Sequence, residues 1–147
     1  MQLSAPRPLR VAVFNDDKDT LSTIARWLER HGHRAVTGCL AHMRQVHENL
    51  ERMVRDHHTH VVVFHVQLPF GPGWDFVSML REYPGLSSVP FLITTPDKAA
   101  LDRTVGATDA IQFAGTPEDL AELLRRVEAA SRRGDGAWPS VGTPVSS

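Results

Sequence analysis

The chain has 147 residues, 41% hydrophobic and 22% charged, with a formal net charge of −1. Those values describe one ordinary globular domain with enough apolar material for its own core. They give no support to a nucleic-acid or membrane surface, and the single cysteine, Cys39, rules out an internal disulfide.

In chain order, residues 1–8 read as a flexible lead without the apolar segment of a signal peptide. Arg10 to Phe14 form a first strand, ending in the polar cluster Asn15-Asp16-Asp17. Asp19 or Thr20 is the expected cap of a helix whose stripe is Leu21, Ile24, Ala25 and Leu28, and Gly32 ends it. His33 to Thr37 is a short polar strand, expected towards an edge. A second helix covers roughly 41–56, with Met43, Val46, Leu50, Met53 and Val54 on its apolar side. His57, His58 and His60 follow; the reading preferred over metal binding is a solvated loop.

Val61 to Phe64, continued by Val66, is a β-branched run between two helix patterns. It is expected to be a central strand of a parallel sheet, buried on both faces. His65 interrupts the run near the strand's carboxyl end, where open α/β sheets place their sites. Pro69 to Gly73 reads as a turn-rich loop and about Trp74 to Tyr83 as a helix. Pro90 to Thr95 is a fourth strand, 97–104 a short helix and Asp109 to Phe113 a weaker fifth strand. Thr116-Pro117-Glu118-Asp119 opens the last helix, on which Leu120, Leu123, Leu124 and Val127 form the stripe. From Gly134 the composition predicts a disordered tail, residues 134–147, in which Trp138 is loose or binds a partner; Trp27 and Trp74 are expected to be partly buried. The β-α alternation, five times over, implies a doubly wound five-stranded parallel sheet between helical layers, a three-layer (βα)5 sandwich with right-handed crossovers. No run approaches the roughly 18 apolar residues of a membrane span.

Residues 9–131 resemble the receiver domain of bacterial two-component response regulators, a CheY-like, flavodoxin-like fold. The resemblance rests on Phe14-Asn15-Asp16-Asp17 as the acidic pair and on Val66-Gln67-Leu68-Pro69 with Gly73-Trp74 as the loop after the central strand. Thr95 falls on the switch residue of the fourth strand and the Asp109 region on the fifth strand, which places the domain at residues 9–133. The departures are as informative. The phosphoryl-accepting aspartate is replaced by His65, the lysine by Phe113, the proline after it by Ala114, and the aromatic switch residue by Ala110.

Receiver phosphorylation needs a carboxylate nucleophile, Mg²⁺ held by hard oxygen ligands, and a cation on the transferring oxygens. The resemblance therefore implies a pseudo-receiver with a vestigial pocket of Asp16, Asp17, His65, Thr95 and Phe113. It is expected to be non-enzymatic, without a cofactor, cytoplasmic, and to bind neither nucleic acid nor membrane. For His65 three readings stand: a structural histidine paired to a carboxylate, which is preferred; a transition-metal ligand with Asp16 and Asp17; and a phosphorylated residue. Two carboxylates near the ring are expected to raise its pKa, so that an imidazolium stands where receivers hold the ion.

In receivers the face of the fourth helix, fifth strand and fifth helix commonly mediates contacts. Here it is about residues 97–131, with Asp97, Lys98, Leu101, Arg103, Glu122, Arg125 and Arg126. The expected function is a phosphorylation-independent signalling module that uses this face for a protein partner or a homodimer. The alternatives are a small metal- or ligand-binding sensor using Asp16, Asp17 and His65, and a phospho-receiver with an unusual acceptor.

Overall fold

A computed structural model describes residues 8–40 and 43–137, and within these the side chains of all but 43–47, 49, 57 and 132–137. Five parallel strands, β1 (Arg10–Asn15), β2 (Arg34–Cys39), β3 (Val61–His65), β4 (Phe91–Thr95) and β5 (Ile111–Gln112), form one sheet in the order β2-β1-β3-β4-β5. The helices between and after them are α1 (Lys18–Arg30), α2 (Met43–His57), α3 (Phe70–Glu82), α4 (Lys98–Val105) and α5 (Pro117–Ala137). This is the expected doubly wound (βα)5 sandwich, with β3 central and the polar strand β2 at an edge.

The valines of β3 serve both faces in alternation, which is why the run is continuous rather than alternating. Val61 and Val63 join Val11, Val13, Leu21, Ile24 and Leu28 beneath α1, and Leu123 and Val127 of α5. Val62 and Phe64 turn the other way, to Ala12, Phe14, Leu50, Val77, Leu80 and Leu101, against α2, α3 and α4. Each of these fully buried side chains contributes roughly 1.5–3 kcal/mol of transfer free energy. Trp27 and Trp74 are partly buried against the two cores, as expected. Gly38 of β2 stands opposite Phe14, whose ring fills the space a Cβ would need: it would lie 2.3 Å from that ring.

Local signals account for most helix ends. Gly32, at φ +89°, follows α1; its N–H bonds the Glu29 carbonyl and the His33 N–H the Leu28 carbonyl, which is a Schellman stop. At α5 the Thr116 hydroxyl accepts from Asp119 N–H at 3.1 Å, and the Asp119 carboxylate accepts from Thr116 and Ala114 N–H, a capping box.

Several boundaries differ from expectation, four of them by more than small shifts at the ends. The cap position of α1 is Asp17, not Asp19 or Thr20; Thr20 instead donates its hydroxyl to Asp17 at 2.5 Å. α3 starts at Phe70, so Gly71-Pro72-Gly73 is its first turn rather than a loop. N–H groups there have no intrahelical acceptor, so Pro72 costs nothing, while Phe70 is buried in the core and draws the turn inward. β5 shrinks to two residues. α5 continues through Ala137, past Gly134, where a tail was expected; Trp138 lies outside the described residues.

Candidate functional site at the carboxyl end of the sheet

The site grows from register. β1 pairs with β3 up to Phe14 opposite Phe64, and β3 pairs with β4 up to His65 opposite Thr94. The residues that leave β1, β3 and β4 therefore gather at one end. His65 is 8% exposed. Its Nδ1 lies 2.8 Å from the Thr94 hydroxyl, across the ladder. Among the described residues its Nε2 has no hydrogen-bond partner. Beside it opens a cavity of about 300 Å³ lined by Asp16, His65 and Gln67, with Leu40, Leu68 and Pro72. Gln67 Nε2 donates to the Asp16 carboxylate, closing the polar side.

The ring's hydrogen-bond partner is thus a hydroxyl, not the carboxylate that was expected. Burial pushes the imidazole below its ordinary pKa, and the Asp16 charge opposes that shift without reversing it. This corrects the expectation of a raised value. Two carboxylates were expected to face the ring, and only Asp16 does so. Asp17 is turned away at the start of α1, where Thr20's hydroxyl holds its carboxyl below the usual range. A neutral ring follows, not an imidazolium in place of an ion.

The five residues expected to form one pocket are split. Asp16 and His65 line it, and Asp17, Thr95 and Phe113 do not. Thr95 is fully buried, and its hydroxyl has no partner among the described residues. Phe113 is 3% exposed and packs with Val11, Val13, Ile24 and Leu123 under α1 and α5. Its phenyl is core, not a neutral stand-in poised over the cavity. Ala110, at the position of the aromatic switch, is buried as well.

Asp16, Asp17 and His65 are not brought together as one set of ligands: Asp17 does not line the cavity with the other two. Among the described residues no three His, Cys, Asp or Glu side chains are grouped to hold an ion. The Mg²⁺ that receivers hold would meet an imidazole at His65, an Asp16 engaged by Gln67, and an Asp17 whose carboxylate accepts the Thr20 hydroxyl. Two residues that sequence reasoning passed over complete the arrangement. Thr94 was masked by its neighbour Thr95, since which of two adjacent threonines faces His65 is a matter of register. Asn15 is buried, and its Oδ1 accepts the Asp17 N–H at 2.9 Å, which fixes the turn between β1 and α1.

The proposed contact face also changes. Leu101 is fully buried under the sheet and cannot meet a partner. Arg103, Arg125 and Arg126 are exposed. Glu122 ties down the latter two, with Arg126 Nε at 2.7 Å. Lys98 bridges Asp102 at 2.9 Å and the Thr108 carbonyl at 2.7 Å. At the opposite end of the sheet, His60 is half-buried rather than solvated: its Nδ1 accepts the Arg10 N–H at 2.9 Å. No described helix is long and apolar enough to cross a membrane.

No protein-family model and no curated relative matches the chain. Solved structures do. A sensor protein from Polaromonas sp. JS666 is 18% identical, covering 88% of this chain and 99% of its own, with a TM-score of 0.66. A CheY-like response regulator receiver domain protein from Methanospirillum hungatei JF-1 is 13% identical, covering 90% and 100%, at 0.64. The chemotaxis protein CheY4 of Vibrio cholerae is 21% identical, covering 82% and 99%, at 0.59. At such identities the likeness speaks for fold, and with the strand order and helix layers described above it gives the conclusion: the chain has the CheY-like fold of response-regulator receiver domains, with His65 at the carboxyl end of its central strand.

Proposed function

We propose that this chain is a non-catalytic, phosphorylation-independent signalling module, a pseudo-receiver that works through protein contacts. The observation that carries the proposal is His65 itself, buried at the end of β3 and hydrogen-bonded to Thr94. A receiver's chemistry starts from an exposed carboxylate nucleophile beside a metal ion and a cation. An imidazole bonded to a threonine supplies no such carboxylate, and the nearest substitute for the cation is a phenyl ring sunk in the core.

What remains useful on this scaffold is surface. Around α4, β5 and α5 the exposed Arg103, Arg125 and Arg126, with Glu122 among them, form a mixed-charge face suited to a selective protein contact or to a second copy of the chain. The test is intact-mass spectrometry after acetyl phosphate treatment, run beside co-purification of the native protein with its partners. The expected result is an unchanged mass and a retained partner that is lost when Arg103 and Arg126 are both changed to Glu. A stoichiometric gain of one phosphoryl group sinks the proposal.

A second reading has one observation behind it. The cavity of about 300 Å³ is lined by the polar residues Asp16, His65 and Gln67 among apolar neighbours, so a small ligand with a polar group fits there. A ligand-bound form would shift the His65 ring resonances; partner binding at the α4–α5 face would leave them in place.

A further inference from the structure

A different cavity lies at the amino-terminal edge of the sheet. Arg10 and Arg34 are cross-strand partners at the start of β1 and β2, so both side chains leave the sheet on the same face. That face carries α2, whose Arg52, Met53 and Asp56 close a cavity of about 410 Å³ over Val36. Arg34 and Arg52 have no ion pair or side-chain hydrogen bond among the described residues. Asp56, the one carboxylate among the described lining residues, already accepts Arg55 Nε at 3.1 Å. Val36 is 41% exposed, one of few large apolar side chains in a strand left open to solvent.

We propose that this cavity binds a small organic oxyanion, a phosphate or carboxylate group on an apolar body. Two unpartnered guanidiniums beside a third arginine leave an excess of positive charge around a partly apolar hollow. Guanidinium forks match the oxygens of phosphate and carboxylate, and a charge-assisted pair of bonds is stronger than a neutral one. Val36 and Met53 offer the apolar part of the ligand a surface, and the volume falls within the roughly 300–1,000 Å³ of small-molecule sites. The cavity is at the far end of the strands from His65. Binding here is therefore independent of what occupies the receiver-like end, and its success or failure leaves the signalling proposal standing.

The experiment is a titration of the full chain with phenyl phosphate, benzoate and inorganic phosphate, followed by calorimetry and by amide resonances. Saturable binding is expected for phenyl phosphate or benzoate, with shifts centred on Arg34, Val36, Arg52 and Met53. Whichever of the two binds more tightly names the oxyanion. Inorganic phosphate, which lacks the apolar body, is expected to bind about tenfold more weakly than the better of them. Arg34→Gln with Arg52→Gln alters exposed side chains only, so the fold is expected to persist, and affinity is expected to fall at least about tenfold. Arg81→Gln on α3 is expected to leave affinity unchanged. No saturation by any of the three, equal affinity for inorganic phosphate, or an affinity untouched by the double substitution overturns the proposal.

Discussion

Two buried histidines sit at opposite ends of this sheet, and they are built differently. His33, at the amino-terminal end, uses both ring nitrogens: Nδ1 accepts the Leu9 N–H at 3.1 Å and Nε2 lies 2.8 Å from Glu128 of α5. Because Nδ1 accepts, the proton of the neutral ring is on Nε2 and is donated to the carboxylate. That ring links the backbone just before β1 to Glu128 of α5, which lies 95 residues beyond His33. His65, at the carboxyl end, uses one nitrogen, bonded to Thr94; the other has no hydrogen-bond partner among the described residues, and the residue lines a cavity. A saturated ring is a clasp; a half-used ring beside a cavity is where a scaffold retains room for binding. At the amino-terminal end the buried ring is held by polar pairing on both nitrogens, whereas the carboxyl end relies on apolar packing beneath a polar rim.

Three experiments press on that contrast. The largest effect is expected at Phe113, the apolar floor of the carboxyl end. Phe113→Lys buries an ammonium with no partner where a phenyl packs against Val13 and Leu123, and is expected to cost on the order of 3–5 kcal/mol in denaturant unfolding. A variant as stable as the wild type would mean that the end still accommodates a receiver's cation, and the contrast would fail. The same packing argues against Phe113→Lys together with His65→Asp creating a phosphorylation site.

Next come the histidines themselves. His33→Ala leaves the Leu9 N–H without its acceptor and the Glu128 carboxylate without its donor, and is expected to cost about 2–3 kcal/mol. His65→Ala leaves only the Thr94 hydroxyl unpaired and is expected to cost about 1–2 kcal/mol. Equal losses, or a reversed order, would show that the clasp and the rim do not differ in the way their hydrogen bonds imply.

The smallest effect is in pH. Burial depresses the folded pKa of His65, so the unfolded chain takes up a proton first, near the ordinary value of about 6.5. The stability held in the neutral ring is present above that value and is lost as pH falls from it through the lower folded pKa. Melting curves between about pH 7.5 and 5 are expected to decline less steeply for His65→Gln than for the wild type. Parallel curves would place the pH dependence elsewhere.

What the sequence by itself determined was whatever depends on spacing within one element or its ends. The valine run made a central strand, Leu21, Ile24 and Leu28 made the buried stripe of α1, and Thr116 with Asp119 made a capping box. His65 was identifiable as the polar residue at the carboxyl end of that strand because it follows four apolar residues there. The tertiary structure alone decided what those residues face. Asp16 and Asp17 are adjacent in sequence, yet one lines a cavity and the other bonds the Thr20 hydroxyl at the start of α1, because the chain turns between them. Thr94 rather than Thr95 meets His65, because a side chain's face changes with every residue of a strand, so a one-residue difference in register reverses the partner. Phe113 entered the core and Leu101 left the contact surface for the same reason: the direction of a side chain is set by the packing of several elements at once, and spacing along one of them does not contain it.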